Sequence, residues 1–415
     1  MGFSLQEIVS YAKRNGFVYP SSEIYDGFAG VYDYGPKGVE LVRNIKNLWW
    51  REIVHKRLDT VGLDSAIFMS PKVWEASGHV SNFCDPLTEC RCCHTRLRVD
   101  HVLEEIGAIV DDKMSIQEIS EIFQANKGKI KCPKCGARDF TQPKSFNLLV
   151  KSNLGSVTDD LNSPVWLRGE TCQGIYVDYL NVLNTNRVKI PFGIAQIGKA
   201  FRNEITARQF IFRTREFEQM ENQRFVEPWR ELEEYEILRK ERMDYYISVL
   251  GLREENLRWK QHEKLAFYAR AAWDIEYRYP FGFAGVHARG NYDLSQHSKY
   301  SGRDLEYRAS NGETFIPHVI ESSVGVGRTM LALLTDGLSR EISNEGKERV
   351  VLKIKPSLAP IKLAIFPLIK NNPEIYKAAV EIYKQLSTEF ATDWDDNGNI
   401  GKRYRRQDEI GTPCC

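Results

Sequence analysis

The sequence has no hydrophobic run long enough to cross a membrane. Its longest apolar stretches, such as residues 361–369, include a lysine and a proline and fall short of the roughly eighteen residues that a membrane-spanning helix needs. The N-terminus lacks the apolar core of a signal peptide, and Gln6 stands where an N-myristoylation site has serine or threonine. These absences exclude a membrane protein and predict a cytoplasmic location.

An excess of charge of either sign is also missing. Lys and Arg total 57 against 56 Asp and Glu, so the net charge is +1, and a nucleic-acid partner would have to bind a local basic patch. With 42% hydrophobic and 27% charged residues, the composition excludes disordered, collagen-like and disulfide-scaffold proteins. A length of 415 residues predicts two or three domains with large cores.

The nine cysteines are an odd number, and four of them form two Cys-x-x-Cys pairs within a cysteine-rich stretch, residues 88–140. These four are Cys90, Cys93, Cys132 and Cys135. Thiolates in such turns suit tetrahedral Zn²⁺ in a reducing compartment, so the spacing predicts a structural zinc site in an insertion. Free thiols or a decayed site are the alternative, and Cys92 and His94 are substitute ligands.

Hydrophobic spacing indicates the elements of the N-terminal half. Residues 36–58 place apolar side chains three to five apart after Pro36, which predicts a long helix with one apolar face. Residues 61–71 are short and extended, and Pro71 is expected to close this strand. A polar helix is predicted near 114–127.

The second half alternates strand-like and helical patterns. Residues 145–227 favour strands, and residues 228–250 favour a highly charged helix. A strand, a glycine turn and a helix follow, with the helix predicted over 329–338.

A second domain is predicted to begin near residue 358. A buried strand at 361–367, a helix at 373–390, a short strand and a basic helix at 400–410 form the front of an α/β domain. We expect this domain to be incomplete, because the chain stops at Cys415 before the sheet closes.

Two stretches rich in arginine and glutamate suggest a nucleotide site. Arg202 and Glu204 lie in the first stretch. If the second stretch is the other strand of a hairpin, period-2 alternation groups the following residues on one face: Arg213, Arg215, Phe217, Gln219 and Glu221. Such a face offers guanidinium forks for phosphates and a ring for a base. The alternative is a solvated ladder of salt bridges.

Two further motifs carry polar groups beside glycines. Gly325-Val-Gly327-Arg328 lies between a strand and a helix, where it could bind an anion or serve only as a structural turn. Glu170 in Arg-Gly-Glu-Thr-Cys-Gln-Gly and Arg289 before Gly-Asn-Tyr-Asp are the other candidates. On base rates, a lone Glu or Arg of this kind is a surface or paired residue.

Taken in order, these patterns resemble motifs 1, 2 and 3 of the class II aminoacyl-tRNA synthetases, near 61–71, at 201–221 and at 321–338. Four runs are similar to the homodimeric glycyl-tRNA synthetases in particular: Arg-Gly-Glu170-Thr-x-Gln-Gly, Phe217-Glu-Gln-Met-Glu221, Pro317-His-Val-Ile-Glu321-x-Ser323 and Arg403-Tyr-Arg-Arg-Gln-Asp-Glu-Ile-Gly-Thr-Pro413. The resemblance covers nearly the whole chain and outweighs the structural alternatives for each motif alone.

The resemblance implies an α+β fold. Residues 1–355 would form a catalytic core on an antiparallel sheet flanked by helices, with 88–140 as a zinc-ribbon-like insertion. Residues 358–415 would form a truncated α/β anticodon-binding domain. The core would dimerise through the motif 1 region into a homodimer.

The resemblance also implies a glycine–tRNA ligase reaction, in which ATP with Mg²⁺ and glycine form glycyl-adenylate and the glycyl group passes to the 3′ end of the glycine tRNA. Arg202 and Arg328 are the candidate catalytic residues. The implied ATP-binding set is Arg202, Asn203, Glu204, Phe212, Arg213, Thr214, Arg215, Glu216, Phe217, Gly325, Val326, Gly327 and Arg328. The implied glycine-binding set is Arg98, Glu170, Phe217, Glu218, Gln219, Met220, Glu221, Arg289, Glu321, Ser322, Ser323, Val324 and Gly325.

The chain departs from the family's pattern in two places besides its end. Residues 281–288 replace an acidic segment of the Glu-Leu-Glu-Gly kind, and Ser322 stands where the family has proline. These departures favour, as the alternative function, a non-catalytic synthetase-like protein that binds nucleotide or RNA, or a truncated inactive copy. A zinc-ribbon nucleic-acid module with an inert core is a second alternative.

Overall fold

The computed structural model describes residues 2–108, 110, 114–154, 164–205, 209–262, 271–288, 291–342, 346 and 348–415. Its helices are α1 (Leu5–Arg14), α2 (Pro36–Trp50), α3 (Pro71–Ala76), α4 (His79–Asn82), α5 (Val99–Glu105), α6 (Ile116–Asn126), α7 (Cys172–Val177), α8 (Tyr179–Asn186), α9 (Glu231–Asp244), α10 (Ser295–Ser301), α11 (Val326–Gly337), α12 (Pro373–Leu386) and α13 (Ile400–Asp408). Among the described residues, no helix is both long enough and apolar enough to cross a bilayer.

The strands are β1 (Val18–Pro20), β2 (Tyr32–Tyr34), β3 (Thr60–Gly62), β4 (Cys84–Glu89), β5 (Arg96–Arg98), β6 (Lys144–Asn147), β7 (Val150–Asn153), β8 (Pro164–Leu167), β9 (Phe192–Phe201), β10 (Glu216–Val226), β11 (Leu257–Gln261), β12 (Trp273–Tyr279), β13 (Gly282–Ala288), β14 (Asn291–Asp293), β15 (Tyr307–Arg308), β16 (Thr314–Phe315), β17 (His318–Gly325), β18 (Leu338–Ile342), β19 (Glu348–Leu352), β20 (Leu363–Ile365) and β21 (Thr392–Trp394).

The centre of the fold is an eight-stranded sheet in the order β11-β12-β13-β17-β10-β9-β3, with β14 also paired to β17. Its pairs are antiparallel except β3 with β9, which is parallel. The register places Glu221 of β10 opposite Ser323 of β17. The predicted antiparallel sheet flanked by helices is confirmed.

Both faces of this sheet are covered by helices. Successive strand residues point to opposite faces, so neighbouring residues of β10 pack against different helices. Met220 of β10 packs in one apolar cluster with residues of α2 and α11. Phe225, five positions further along β10, packs in a second cluster with residues of α7 and α8. Glu221 lies four positions before Phe225 on the same strand and therefore points to the same face. The odd-numbered polar residues of β10 thus face the α7 side.

The segment around motif 1 differs from the prediction in two respects. β3 ends at Gly62, and Pro71 is the first residue of α3, a position where its missing N–H costs nothing. The predicted helix over 36–58 is present as α2 with a π-helical continuation at Arg51–His55, but Leu58 lies beyond it and is fully exposed.

The prediction of strands throughout 145–227 is wrong for α7 and α8. Ile175, Tyr176, Tyr179 and Val182 recur at three- and four-residue spacing and are buried together. This spacing is typical of an amphipathic helix. The prediction missed it because the sequences on both sides are strand-like.

The cysteine-rich region has a small core of its own. β5, β4 and β6 form a three-stranded sheet, and α5 and α6 pack with it around buried residues that include Leu103, Phe123 and Phe140. The predicted polar helix near 114–127 is confirmed as α6.

The C-terminal residues form β20, α12, β21 and α13 in the predicted order, and β20 and β21 pair in parallel. The guanidinium of Arg403 is buried and donates 2.6 Å and 2.9 Å hydrogen bonds to the carbonyls of Pro367 and Gly398. Asn44 of α2 donates to the carbonyls of Leu358 and Ala359. The start of this region therefore contacts the same helix that covers the central sheet.

Candidate active site

A cavity of about 740 Å³ lies over the ends of β9, β10 and β17. Most of the side chains implied by the resemblance line it: Glu170, Arg202, Glu204, Phe212, Arg213, Thr214, Glu216, Phe217, Glu218, Gln219, Glu221, Glu321, Ser323, Gly325, Gly327 and Arg328. The residues come from stretches as far apart as 170 and 328, and the antiparallel register of the sheet brings them together.

Several of the implied residues do not line the cavity. Met220, Ser322, Val324 and Val326 are at most 1% exposed, and the first three alternate with cavity residues along their strands. Asn203 is fixed through its backbone amide, which donates a 2.7 Å hydrogen bond to the carbonyl of Leu148. Strand alternation explains why Met220, Ser322 and Val324 are excluded, since it turns each of them away from its two cavity-lining neighbours.

Two implied arginines are directed elsewhere, and a third is not described. Arg98 lies 3.1 Å from Asp85 and also pairs with Asp100. Arg215 donates to the carbonyl of Glu204 at 2.9 Å and lies over the ring of Phe28. It precedes β10, so the strand alternation predicted for it does not apply. Arg289 lies outside the described residues.

One side of the cavity is basic. Arg202 donates through Nε to the carbonyl of Gly169 at 3.0 Å, and its guanidinium carbon lies 5.1 Å and 5.3 Å from the ring centres of Phe83 and Phe217. Arg213 donates through Nε to Oε2 of Glu204 at 2.8 Å. These contacts hold the two guanidinium groups at the cavity wall, where their remaining N–H groups suit phosphate oxygens.

Arg328 completes the basic side from the start of α11. Its Nε donates to the carbonyl of Phe212 at 3.1 Å and its Nη1 to that of Gly285 at 3.0 Å. Burial lowers the pKa of Arg328 from its ordinary value. A Cβ at Gly327 would lie 2.8 Å from the carbonyl oxygen of Ile211, so close packing requires glycine there.

Three glutamates, Glu170, Glu221 and Glu321, also line the cavity. Oε1 of Glu221 accepts a 3.0 Å hydrogen bond from Ser323, and Gln223 donates to Glu321 at 3.4 Å. Burial and the charge of Glu170 raise the pKa of Glu221 to about 7. Burial and the charge of Glu221 raise the pKa of Glu321 well above its ordinary value.

Glu170 behaves differently from the other two glutamates. Burial opposes its ionisation, but His79 and hydrogen bonds from Cys172 and Gln173 outweigh burial and hold the pKa of Glu170 well below its ordinary value. Of the three carboxylates, Glu170 is therefore the one that is ionised most readily before a substrate binds. A cavity with cationic and anionic sides suits a substrate pair that carries phosphates and an ammonium group.

Sequence reasoning missed some residues that form this site. Lys46 of α2 lines the cavity and pairs with Glu218 at 2.8 Å. His79 lies 3.2 Å from Glu170. Neither belongs to a polar run or a recognised motif, so the sequence alone offered no pattern that would have found them.

The two Cys-x-x-Cys pairs meet in space. The Sγ atoms of the four predicted cysteines lie within 4.8 Å of one another, with Cys90 and Cys135 at 3.6 Å and Cys93 and Cys132 at 3.5 Å. Sulfurs about 3.8 Å apart surround a tetrahedral ion at the usual Zn–S distance. This cluster can hold a metal ion.

Family models match both parts of the chain. The class II core domain of tRNA synthetases (G, H, P, S and T) matches residues 156–336, and the anticodon-binding domain matches residues 362–415. The first match contains the cavity strands, and the second contains β20 to α13.

Two bacterial relatives match almost the entire chain. The glycine–tRNA ligase of Borrelia hermsii is 47% identical over 422 residues, which cover 99% of this chain and 88% of the relative. The glycine–tRNA ligase of Caldanaerobacter subterraneus subsp. tengcongensis is 48% identical over 423 residues, with 99% and 90% covered. The chain belongs to the glycine–tRNA ligase family. The predicted class II synthetase family and its ligase function are thereby confirmed.

A solved structure extends the comparison beyond the glycine–tRNA ligase family. Prolyl-tRNA synthetase from Cryptosporidium parvum, complexed with L-proline and AMP, matches with a TM-score of 0.61 at 14% identity, over 98% of this chain and 68% of that chain. At this identity the match shows the class II fold alone.

Proposed function

We propose that this chain activates glycine with ATP and transfers the glycyl group to the 3′ end of the glycine tRNA. The observation that carries the proposal is the cavity itself, which is lined both by Arg202, Arg213 and Arg328 and by Glu170, Glu221 and Glu321. An isolated salt-bridge ladder would pair these charges with one another. Here all six groups line one volume that is large enough for a nucleotide and a small amino acid.

The first step needs orientation and charge neutralisation more than proton transfer. A carboxylate oxygen of glycine forms a bond to the α-phosphorus of ATP, and the bond to diphosphate breaks. The nucleophile is already an anion, so no general base is required. We assign Arg202 to the α-phosphate, where it would stabilise the negative charge that develops in the transition state.

ATP would enter as its magnesium complex, and the metal would neutralise phosphate charge. We assign Arg213 and Arg328 to the outer phosphates and Phe217 to the adenine ring. The Arg202 guanidinium lies beside the Phe217 ring in the structure, so the base would lie near the arginine that binds the α-phosphate.

Glycine would bind through its ammonium group at the acidic side. We assign Glu170, Glu221 and Glu321 to this group, with Ser323 as a polar neighbour that already donates to Glu221. Selectivity for glycine would rest on exclusion of any Cα substituent. Steric exclusion of a larger substrate is a stronger filter than the weaker binding of a smaller substrate that fills the site incompletely.

The deciding experiment is glycine-dependent exchange of diphosphate into ATP, followed by charging of glycine tRNA. We expect exchange to require glycine and to be much slower with alanine. Nucleotide binding without exchange would instead support the non-catalytic synthetase-like alternative. The homodimer stays a prediction, and sedimentation analysis tests it.

The apparent KM for glycine should fall as the pH rises through about 7. Below this pH Glu221, whose pKa is about 7, is protonated and neutral, and above it the carboxylate attracts the glycine ammonium. One such group changes KM by about tenfold between pH 6 and 8. Exchange rates at saturating MgATP measure this change.

Glu221→Gln is the control for this profile, because it removes the titration while ATP still ionises. We expect its KM for glycine to vary little over the same range. A profile of equal steepness in this variant, or a flat profile in the wild type, would assign the effect to another group.

For the four-cysteine cluster we propose structural Zn²⁺. Replacement of Cys135 by Ser should abolish stoichiometric zinc binding and increase proteolysis within residues 88–140, because structural zinc contributes directly to folding free energy. Metal analysis and limited proteolysis measure both. Cys92→Ser is the matched control, since exposed Cys92 is outside the cluster; a wild type without zinc contradicts the proposal.

A further inference from the structure

His79 lies beside the proposed glycine site but belongs to none of the synthetase motifs. It is the first residue of α4, follows Gly78 at φ 76° and is 7% exposed. Its carbonyl accepts a 3.2 Å hydrogen bond from the side-chain amide of Asn147. The backbone that carries the imidazole is therefore held by Asn147.

The imidazole connects a serine to the charged glutamate of the cavity. Its Nδ1 lies 2.8 Å from Oγ of Ser77, and its Nε2 lies 3.2 Å from Oε1 of Glu170. Ser77 is also buried and lies 3.3 Å from the carbonyl of Trp74. When the serine hydroxyl donates to Nδ1, the neutral imidazole carries its proton on Nε2 and donates it to Glu170; when Nδ1 donates to the serine instead, an Nε2 proton requires the imidazolium form.

The other polar contacts of Glu170 are also made by Oε1, the oxygen that lies near His79. Oε1 also accepts a 2.8 Å hydrogen bond from Nε2 of Gln173 and lies 3.0 Å from Sγ of Cys172. Gln173 is itself fixed by His297 at 2.9 Å. Because the polar contacts of Glu170 in the described part of the chain converge on Oε1, Oε2 is the oxygen that an incoming ammonium group can reach.

We infer that His79 is a positioning residue, which holds Glu170 with one carboxylate oxygen directed toward the ammonium group of glycine. The inference rests on the proposed function, because it assumes that Glu170 binds glycine. Aromatic packing is the competing role, since the imidazole ring centre lies 5.4 Å from that of Trp74 and 5.0 Å from that of Phe83.

The decisive variant is His79→Phe, which keeps an aromatic ring and removes both polar contacts. Loss of a hydrogen bond to a charged group should raise the KM for glycine about tenfold. The KM for ATP and the kcat of exchange should change less than about threefold, because the phosphate side of the cavity is untouched. His79→Gln keeps a donor that can reach Glu170 and should recover most of the wild-type KM.

Trp74→Phe is the control for packing. Nε1 of Trp74 is buried with no hydrogen-bond partner among the described residues, so this change alters the surroundings of His79 without removing a polar contact. Its KM for glycine should stay within about twofold of the wild type. If His79→Phe does not fold, Ser77→Ala decides, with an expected rise of about threefold in the KM for glycine alone.

Glycine-dependent diphosphate exchange gives distinguishable outcomes. If the wild type shows no such exchange, the proposed function fails. If the wild type is active and His79→Phe retains its KM for glycine, or raises both KM values equally, only the positioning role is overturned. Failure of His79→Gln to recover more than His79→Phe would also overturn it.

Discussion

Replacement of Arg202 by Ala should lower the rate of glycine-dependent diphosphate exchange by about 10²-fold or more, which corresponds to about 2.7 kcal/mol of transition-state stabilisation. The guanidinium lies between the rings of Phe83 and Phe217, and its Nε is held by the carbonyl of Gly169. It is thus oriented before the substrate arrives, and in the proposed role its charge would act on the α-phosphate without reorganisation.

Arg202→Lys should recover only part of this loss, because an ammonium group carries the charge without the planar fork. Arg215→Ala is the matched control. Its guanidinium contacts the carbonyl of Glu204 and the ring of Phe28 and does not line the cavity. We expect a change below about fivefold in exchange. Comparable losses in the Arg202 and Arg215 alanine variants would show that charge near motif 2 matters only for folding.

Replacement of Glu170 by Gln should lower kcat/KM for glycine by about 10²-fold, since a buried charge-assisted hydrogen bond to the ammonium group is lost. The low pKa of Glu170 makes it the most readily ionised of the three glutamates before glycine binds. The isosteric amide keeps the side-chain shape and removes the charge. The KM for ATP should stay within about threefold of the wild type, which initial-rate exchange assays at varied ATP and glycine measure.

Glu313→Gln is the matched control for this change. Glu313 is exposed in the turn before β16 and contacts Asn311, so we expect kcat/KM for glycine to be unaffected. If Glu170→Gln weakened ATP and glycine equally, the assignment of Glu170 to the ammonium group would be wrong and a general role in cavity structure would replace it.

The residue types that perform the proposed chemistry could be predicted from the sequence. Short sequence motifs contain four of them: Arg202, Phe217, Glu221 and Arg328. Such a motif can be recognised from residue types and spacing alone, without knowledge of the fold. The cysteine pairs were found in the same way. Elements with strong periodicity, such as α2, α6 and α12, were predicted within a few residues for the same reason.

Three errors came from context that a local pattern does not contain. The helical spacing of α7 and α8 lies between strand-like sequences, and Pro71 could end one element or begin the next. Arg215 precedes β10, so strand alternation did not determine its direction. In each case the neighbouring elements decide the outcome, as tertiary packing overrides a weak local preference.

By itself, the sequence determined the class of protein, the order of its motifs and the side chains available for ATP, glycine and a metal. Tertiary structure alone decided how they meet. The register of β10 and β17 brings Glu221 beside Ser323 across 102 positions, and burial of these groups shifts the pKa of Glu221 to about 7. It also placed His79 against Glu170, because contacts and desolvation depend on distance in space and not on separation along the chain.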